Sequence, residues 1–369
     1  MRREPSTGQA ESDDRADDRP VELLVVGTFG GGGIHQYIDE QVDRFSDGIA
    51  VSTFDMIAAP TGSGPGWFLT STLRSLSAAL RFPFRSRPDL VHVHASHRFS
   101  FYRAAFYVLF AAYVWQCPVV LHIHGSSFDE FARTSDQGVR LLQDLVFDAA
   151  DRIVVLSEYW REVLSRRTDP EKLRVYPNAV DPDEYTPAYE ADRPRIVFVS
   201  NLYERKGVAT LVEALDALAD DDPQFRAEIA GKGPLVDQVE ALAQRHDAVR
   251  YHGYVSEQRK RELLEQGTIY VLPTHAEGLP IAMLEAMAGG NAIVSTTVGS
   301  IPEVIGDENG RLVEPGDTAA LTEALSELIE APEAVAEMGR RNRTLVETEY
   351  DWDSIQTRLE RLYVEELLD

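Results

Sequence analysis

A chain of 369 residues with a single cysteine, Cys117, cannot close an internal disulfide. That cysteine stands in an apolar setting before Pro118 and reads as a core residue, so a reducing compartment is expected. Lysine is scarce too: only Lys172, Lys206, Lys232 and Lys260 are present among 36 basic residues, so arginine carries nearly all the positive charge. Against them stand 61 acidic residues, a formal charge of −25 and a pI near 4.7. This excess excludes a general nucleic-acid binder, because phosphate backbones need a basic face. An acidic, lysine-poor surface resembles that of halophilic proteins, whose self-repulsion is screened by abundant counterions. Long apolar runs are missing as well. The longest apolar helix candidate, residues 104–115, falls short of the roughly 20 residues a membrane span needs. Residues 1–20 carry no apolar signal region and are expected to form a disordered acidic tail. The expectation is a cytoplasmic protein, with peripheral contact at the inner face of a membrane left open and oligomeric state unspecified.

What is present alternates. Strand candidates at 21–27, 49–57, 89–94, 119–123 and 153–156 are separated by helix candidates at 34–45, 67–81, 99–115 and 139–149. Alternation of this kind predicts a doubly wound parallel sheet with right-handed crossovers and ligands at the carboxyl ends of the strands. A stretch rich in proline and acid, 176–194, marks a boundary. The alternation then restarts, with strands at 195–200, 225–230, 249–253, 269–272 and 292–294. The expected division is an acidic tail (1–20), a first domain (21–180), a linker (181–194), a second domain (195–350) and a closing helical segment (351–369).

The second half contains the most informative stretch, residues 268–295. An apolar strand ends at Leu272, a loop carries Glu277 and Gly278, and Pro280 stands where a first helical residue would sit, since its missing N–H is not needed there. The helix is expected over 281–287, ended by Gly289 and Gly290. Glu277 precedes this helix and Glu285 lies about two turns into it, so both carboxylates can flank its N-terminus. Free amides of the first turn favour an anion between them. Carboxylates that grip hydroxyls on either side of a phosphate site suit a sugar nucleotide.

A glycine loop in the first half adds phosphate-binding character. Gly27, Gly30, Gly31, Gly32 and Gly33 lie between strand and helix, where glycine allows close backbone approach to a phosphate. NAD-binding domains use the same device, but the dinucleotide spacing is absent and the acidic residue expected about 20 positions on is matched only by Asp55, which comes later. Histidines 92, 94, 97, 122 and 124 gather near strand ends. With no cysteine and no obvious carboxylate beside them, ordinary strand-end histidines are favoured over a zinc site.

The run from Glu277 to Glu285, with Gly278, Leu279, Pro280 and Ile281 between, resembles the glutamate–seven–glutamate motif of the retaining GT-B glycosyltransferases of family 4, and the resemblance extends from about Val21 to the last helix. It implies an α/β GT-B fold, two Rossmann-like doubly wound domains facing a cleft, acting on a nucleotide-diphosphate sugar, with uridine the expected base. No metal or other cofactor is implied. The implied catalytic residues are His124, Glu277 and Lys206: His124 for the sugar and reacting region, Glu277 for the donor sugar hydroxyls, Lys206 for the diphosphate. Glu285 would hold the ribose. Gly30 to Gly33, Gly231, Lys232, Tyr254, Val255, Gly278, Leu279, Pro280 and Ile281 would line the donor. The family's phosphate-binding arginine is replaced by Asn201, and Arg205 is expected to substitute in part. The implied partner is a glycan or lipid-linked acceptor, placed near 99–107 and 126–133. Two alternatives remain: a sugar-nucleotide epimerase of the same fold, and a catalytically silent nucleotide-binding or scaffold protein.

Overall fold

The computed structural model describes residues 19–29, 33–56, 67–189, 191–219 and 224–368. The apolar runs become two six-stranded, all-parallel sheets. The first contains β1 (Val21–Gly27), β2 (Ile49–Asp55), β3 (Leu90–Ala95), β4 (Val119–Ile123), β5 (Arg152–Val155) and β6 (Leu173–Val175), in the order β2-β1-β3-β4-β5-β6. The second contains β7 (Arg195–Val199), β8 (Arg226–Ala230), β9 (Val249–Tyr251), β10 (Ile269–Leu272), β11 (Ala292–Thr296) and β12 (Gly310–Val313), in the order β12-β11-β10-β7-β8-β9. Central strands such as β3, β4, β10 and β11 are buried along their whole length, as expected for parallel strands covered on both faces. The expected fold class is thus what the structure shows.

Each sheet reverses its winding at one place: between β1 and β3 in the first, between β7 and β10 in the second. A crevice opens at the carboxyl ends of strands at such a switch point. Lys206 follows β7 and Glu277 follows β10, so sheet order alone brings residues 71 positions apart to one edge.

The first half contributes three longer helices before β4: α1 (Gly33–Asp43), α2 (Trp67–Arg81) and α3 (Phe99–Phe110), the last running into a π turn at Ala111–Trp115. The closing helix, Trp352–Tyr363, packs on the first sheet rather than the second. Trp352 lies 4.9 Å from the Tyr37 ring of α1, and Gln41 donates to the Tyr363 hydroxyl at 3.4 Å. Backbone bonds from Val180 to Tyr350 (2.9 Å) and from Trp352 to Val180 (3.2 Å) tie the chain where it returns.

Candidate active site

The loop after β10 is held in a fixed shape by its own side chains. Thr274 donates to the Arg205 carbonyl at 2.9 Å and lies 3.2 Å from Glu277 Oε1. Glu277 is buried, and the same oxygen accepts from Lys206 Nζ, with Arg205 Nη1 at 3.5 Å. Arg205 also donates to the Ala276 carbonyl at 2.5 Å. Burying a carboxylate is costly unless it is paired and hydrogen-bonded, and here the strand-end loops supply both. Gly207, which follows Lys206, has φ +70, and a Cβ there would meet the Pro273 carbonyl at 1.7 Å. The β7 and β10 loops therefore touch backbone to backbone, which seats the ammonium on the carboxylate.

Pro280 is the cap residue (φ −70, ψ 118), and the helix begins at Ile281 and runs to Ala288. It therefore stands one position earlier than its missing N–H suggested, and its carbonyl instead receives the Met283 amide at 3.1 Å. Glu285 does not join the Glu277 centre. It is buried on the helix and accepts from Gln36 of α1 at 2.8 Å and from Lys260 at 2.7 Å. Burial works against the charge on Lys260, but Glu285 and Glu257 outweigh it and its pKa is raised. Among the described residues, the two glutamates thus form separate ion-pair centres with no shared partner.

Lys260 and Gln36 were missed by sequence reasoning. Lys260 carried the same signal as Lys206, a lysine kept in a chain nearly without them, but its glutamate lies 25 residues away with no motif between.

The first half closes on this loop. The His124 carbonyl would lie 3.0 Å from a Cβ on Gly278, so only glycine permits this approach unshifted. Asn178 donates to the Leu279 carbonyl at 2.6 Å, and Ser300 bonds Ser157 at 2.8 Å. Glu303 accepts from Ser157 Oγ at 3.3 Å and from the Glu158 amide at 3.1 Å, capping a helix of the other half. Asn178, Ser157 and Glu303 are further residues to which sequence spacing assigned no role here.

Among the remaining expected donor residues, Gly30, Gly31 and Gly32 lie outside the described residues. Gly33 opens α1 and faces Ile281, whose Cδ1 lies 3.9 Å from a Cβ placed there. Gly231 (φ +150) lets its backbone reach the Ser200 carbonyl, and Lys232 stacks over the Tyr254 ring at 4.0 Å, with Val255 next in the chain. Asn201 is exposed. Arg205, the expected substitute, already engages Ala276 and Glu277.

The histidines are not merely at strand ends. His92, His94 and His122 are wholly buried, with His94 directly opposite His122 in the β3–β4 register. His94 Nδ1 lies 2.9 Å from His124 Nε2, and His92 Nδ1 meets the Tyr363 hydroxyl. Nitrogens of His92, His94 and His122 lie within 4.8 Å of one another and could hold a metal ion, although the Tyr363 and His124 contacts already occupy one nitrogen each on His92 and His94.

Burial pushes His92 and His124 down to about 3, and His94 and His122 well below the ordinary histidine value. Because these folded-state values lie below the unfolded value of about 6.5, stability is complete above that pH and is lost as pH falls, by up to about 1.4 kcal/mol per pH unit for each imidazole. Urea unfolding should therefore give a constant free energy from about pH 8 to about pH 7 and a steep fall beneath, with His122→Phe removing about one proton from the slope. An unchanged slope in that variant would show that His122 titrates normally.

A family model described as "Glycosyltransferase Family 4" matches residues 17–184, and one described as "Glycosyl transferases group 1" matches residues 193–331. One subunit of human phosphatidylinositol N-acetylglucosaminyltransferase is 31% identical over 299 residues, covering 77% of this chain and 59% of the human protein. A glycogen synthase of Mycobacterium tuberculosis is 26% identical over 296 residues, covering 75% of this chain and 69% of its own length. Among solved structures, sucrose-phosphate synthase from Thermosynechococcus elongatus superposes with a TM-score of 0.76 at 18% identity, over 94% of this chain and 99% of that one. Anabaena HepE, in complex with UDP and glucose, gives 0.73 at 19% identity, over 94% of this chain and 100% of its own. The fold these structures share with the chain is GT-B.

Proposed function

The chain belongs to glycosyltransferase family 4, and from that membership we propose that it transfers a sugar from a nucleotide-diphosphate donor to an acceptor hydroxyl with retention, in the synthesis of a surface glycan, glycolipid or glycoprotein. The observation that carries this reading is the Lys206–Glu277 centre at the β7–β10 switch point, facing the His124 carbonyl across Gly278. A compact ammonium beside a buried carboxylate suits the junction between a diphosphate and a sugar: one group answers phosphate charge, the other accepts from sugar hydroxyls.

In this reading the bond between the anomeric carbon and the phosphate oxygen breaks, and the departing diphosphate takes the acceptor proton. The acceptor oxygen then bonds to the same face of the sugar. Lys206 and the amides at the start of the Ile281–Ala288 helix stabilise the negative charge that develops on the leaving group. Glu285, steadied by Lys260 and Gln36, holds ribose hydroxyls. Uridine is the favoured base, since a fold neighbour was solved with UDP. These side chains do this work without a metal or other cofactor.

The test is incubation with a panel of UDP- and GDP-sugars, following nucleotide release and the anomeric configuration of the product. Release of UDP with a retained anomer is expected. Glu285→Ala should raise the donor KM at least tenfold and change kcat little, since ribose binding is uniform through the reaction. An inverted product, or no binding of any nucleoside diphosphate by calorimetry, would overturn the reading.

A further inference from the structure

The acidic residues of this chain are not spread evenly. Between Met56 and Phe128 the sequence contains one acidic residue, Asp89, although 61 occur in the whole chain. The same interval holds six arginines, four of them on or just after α2: Arg74, Arg81, Arg85 and Arg87. Most of this interval folds as α2, α3 and strands β3 and β4.

Helix α2 is turned the wrong way round for a core helix. Its buried positions include Ser71 and Ala78, while Leu73, Leu76 and Leu80, one stripe at helical spacing, are 57%, 56% and 65% exposed. An amphipathic helix normally lays such a stripe on the sheet. Just beyond it Phe84 is 89% exposed, while its neighbour Phe82 is fully buried against Tyr107 of α3 at 4.7 Å. That anchor fixes the end of α2 to α3, and Tyr113 and Val114, in the π turn that follows α3, are 60% and 62% exposed. Exposed apolar side chains therefore occur on both of two helical segments that Phe82 joins through Tyr107 and Trp115, and clustered exposed apolar side chains mark an interaction site.

We propose that the outer face of α2, with Phe84 and the π turn after α3, lies on a bilayer carrying anionic headgroups. Leucines on one face of a helix and arginines at its edges and end are the composition of an interfacial helix, where apolar side chains enter the acyl boundary and long basic side chains reach phosphates. The charge pattern gives the orientation. A chain of net −25 is repelled by an anionic surface least from the side poorest in carboxylates, and the segment that builds this face contributes only one, Asp89, with Asp55 and Asp151 reaching its margins from neighbouring strands. No described helix is long and apolar enough to cross a membrane, so the contact is peripheral. It stands independently of the glycosyl-transfer reading, although it would bring a lipid-borne acceptor to the protein.

The test is flotation of the full chain with phosphatidylcholine vesicles, with and without phosphatidylglycerol, at low and high KCl. Binding to the anionic vesicles is expected, weakened by salt. Arg85→Ser with Arg87→Ser should weaken it roughly tenfold or more, and Leu73→Glu with Leu76→Glu should abolish it while thermal melting stays unchanged. Absence of binding by the wild type, or equal binding by the leucine variant, overturns the proposal. So does concentration-dependent self-association that the leucine variant removes, because the face would then belong to a second copy of the chain.

Discussion

Exchanging Lys206 for methionine should lower kcat by about 10² to 10³-fold, the loss typical when one donor to a developing negative charge is removed. Methionine preserves the length and apolar bulk of the side chain and deletes only the charge. The fold should survive, because Glu277 would keep the Arg205 guanidinium at 3.5 Å, and the Thr274 hydroxyl, 3.2 Å away, can turn its one proton from the Arg205 carbonyl to the carboxylate. Glu277→Ala differs in kind: it leaves an ammonium that is only 14% exposed without its carboxylate. Breaking a buried pair from one side costs about 3–5 kcal/mol, so that variant should lose both stability and turnover. The double variant, Lys206→Met with Glu277→Gln, recovers stability but not activity. Steady-state kinetics and urea unfolding on the four proteins separate the contributions, and a Lys206→Met enzyme within a few-fold of wild-type kcat would show that this ammonium does not face the leaving group.

How much of this was legible in the sequence depends on the range of each interaction. Strands such as β3, β4 and β10 are buried on both faces, so they stand out as apolar runs bounded by Gly, Pro or polar residues. The Ile281–Ala288 helix is bracketed by Pro280 and Gly289, and its position is readable to within a residue. The Glu277 and Glu285 spacing is visible, but their partners are not, because nothing local links Gln36 to Glu285 across 249 positions or Glu303 to the helix it caps. Local spacing can pair His92 with His94 on one strand; only the β3–β4 register shows that His94 faces His122. The leucine stripe of α2 is plain in the sequence as periodicity. Its direction is not, since a helical repeat says which residues share a face and nothing about what that face meets.

Gly299→Ala should reduce both stability and turnover, with no contact to any proposed donor atom needed to explain it. Gly299 has φ +56, and a Cβ there would lie 2.0 Å from the Glu277 carbonyl and 3.1 Å from that of Gly278. The left-handed backbone alone costs a non-glycine residue about 1–2 kcal/mol. Gly253 provides the comparison, because it has φ +69 with nothing within 4 Å of a methyl group placed on it, so Gly253→Ala should lose only that backbone cost. At Gly299 the overlap is with backbone and cannot be relieved by a rotamer change, which raises the expected loss to about 3 kcal/mol or more. Relief requires the loop to back away, and with it goes the bond from the Ser300 amide to the Gly278 carbonyl at 3.0 Å. The Ser300–Ser157 bond at 2.8 Å and the Glu303 cap, both to the other half, sit on the same segment. Glu277 would then lose its fixed backbone, and kcat should fall together with stability. Equal unfolding free energies for Gly299→Ala and Gly253→Ala would mean that the clamp on the Glu277 loop yields freely and that its geometry is not what positions the carboxylate.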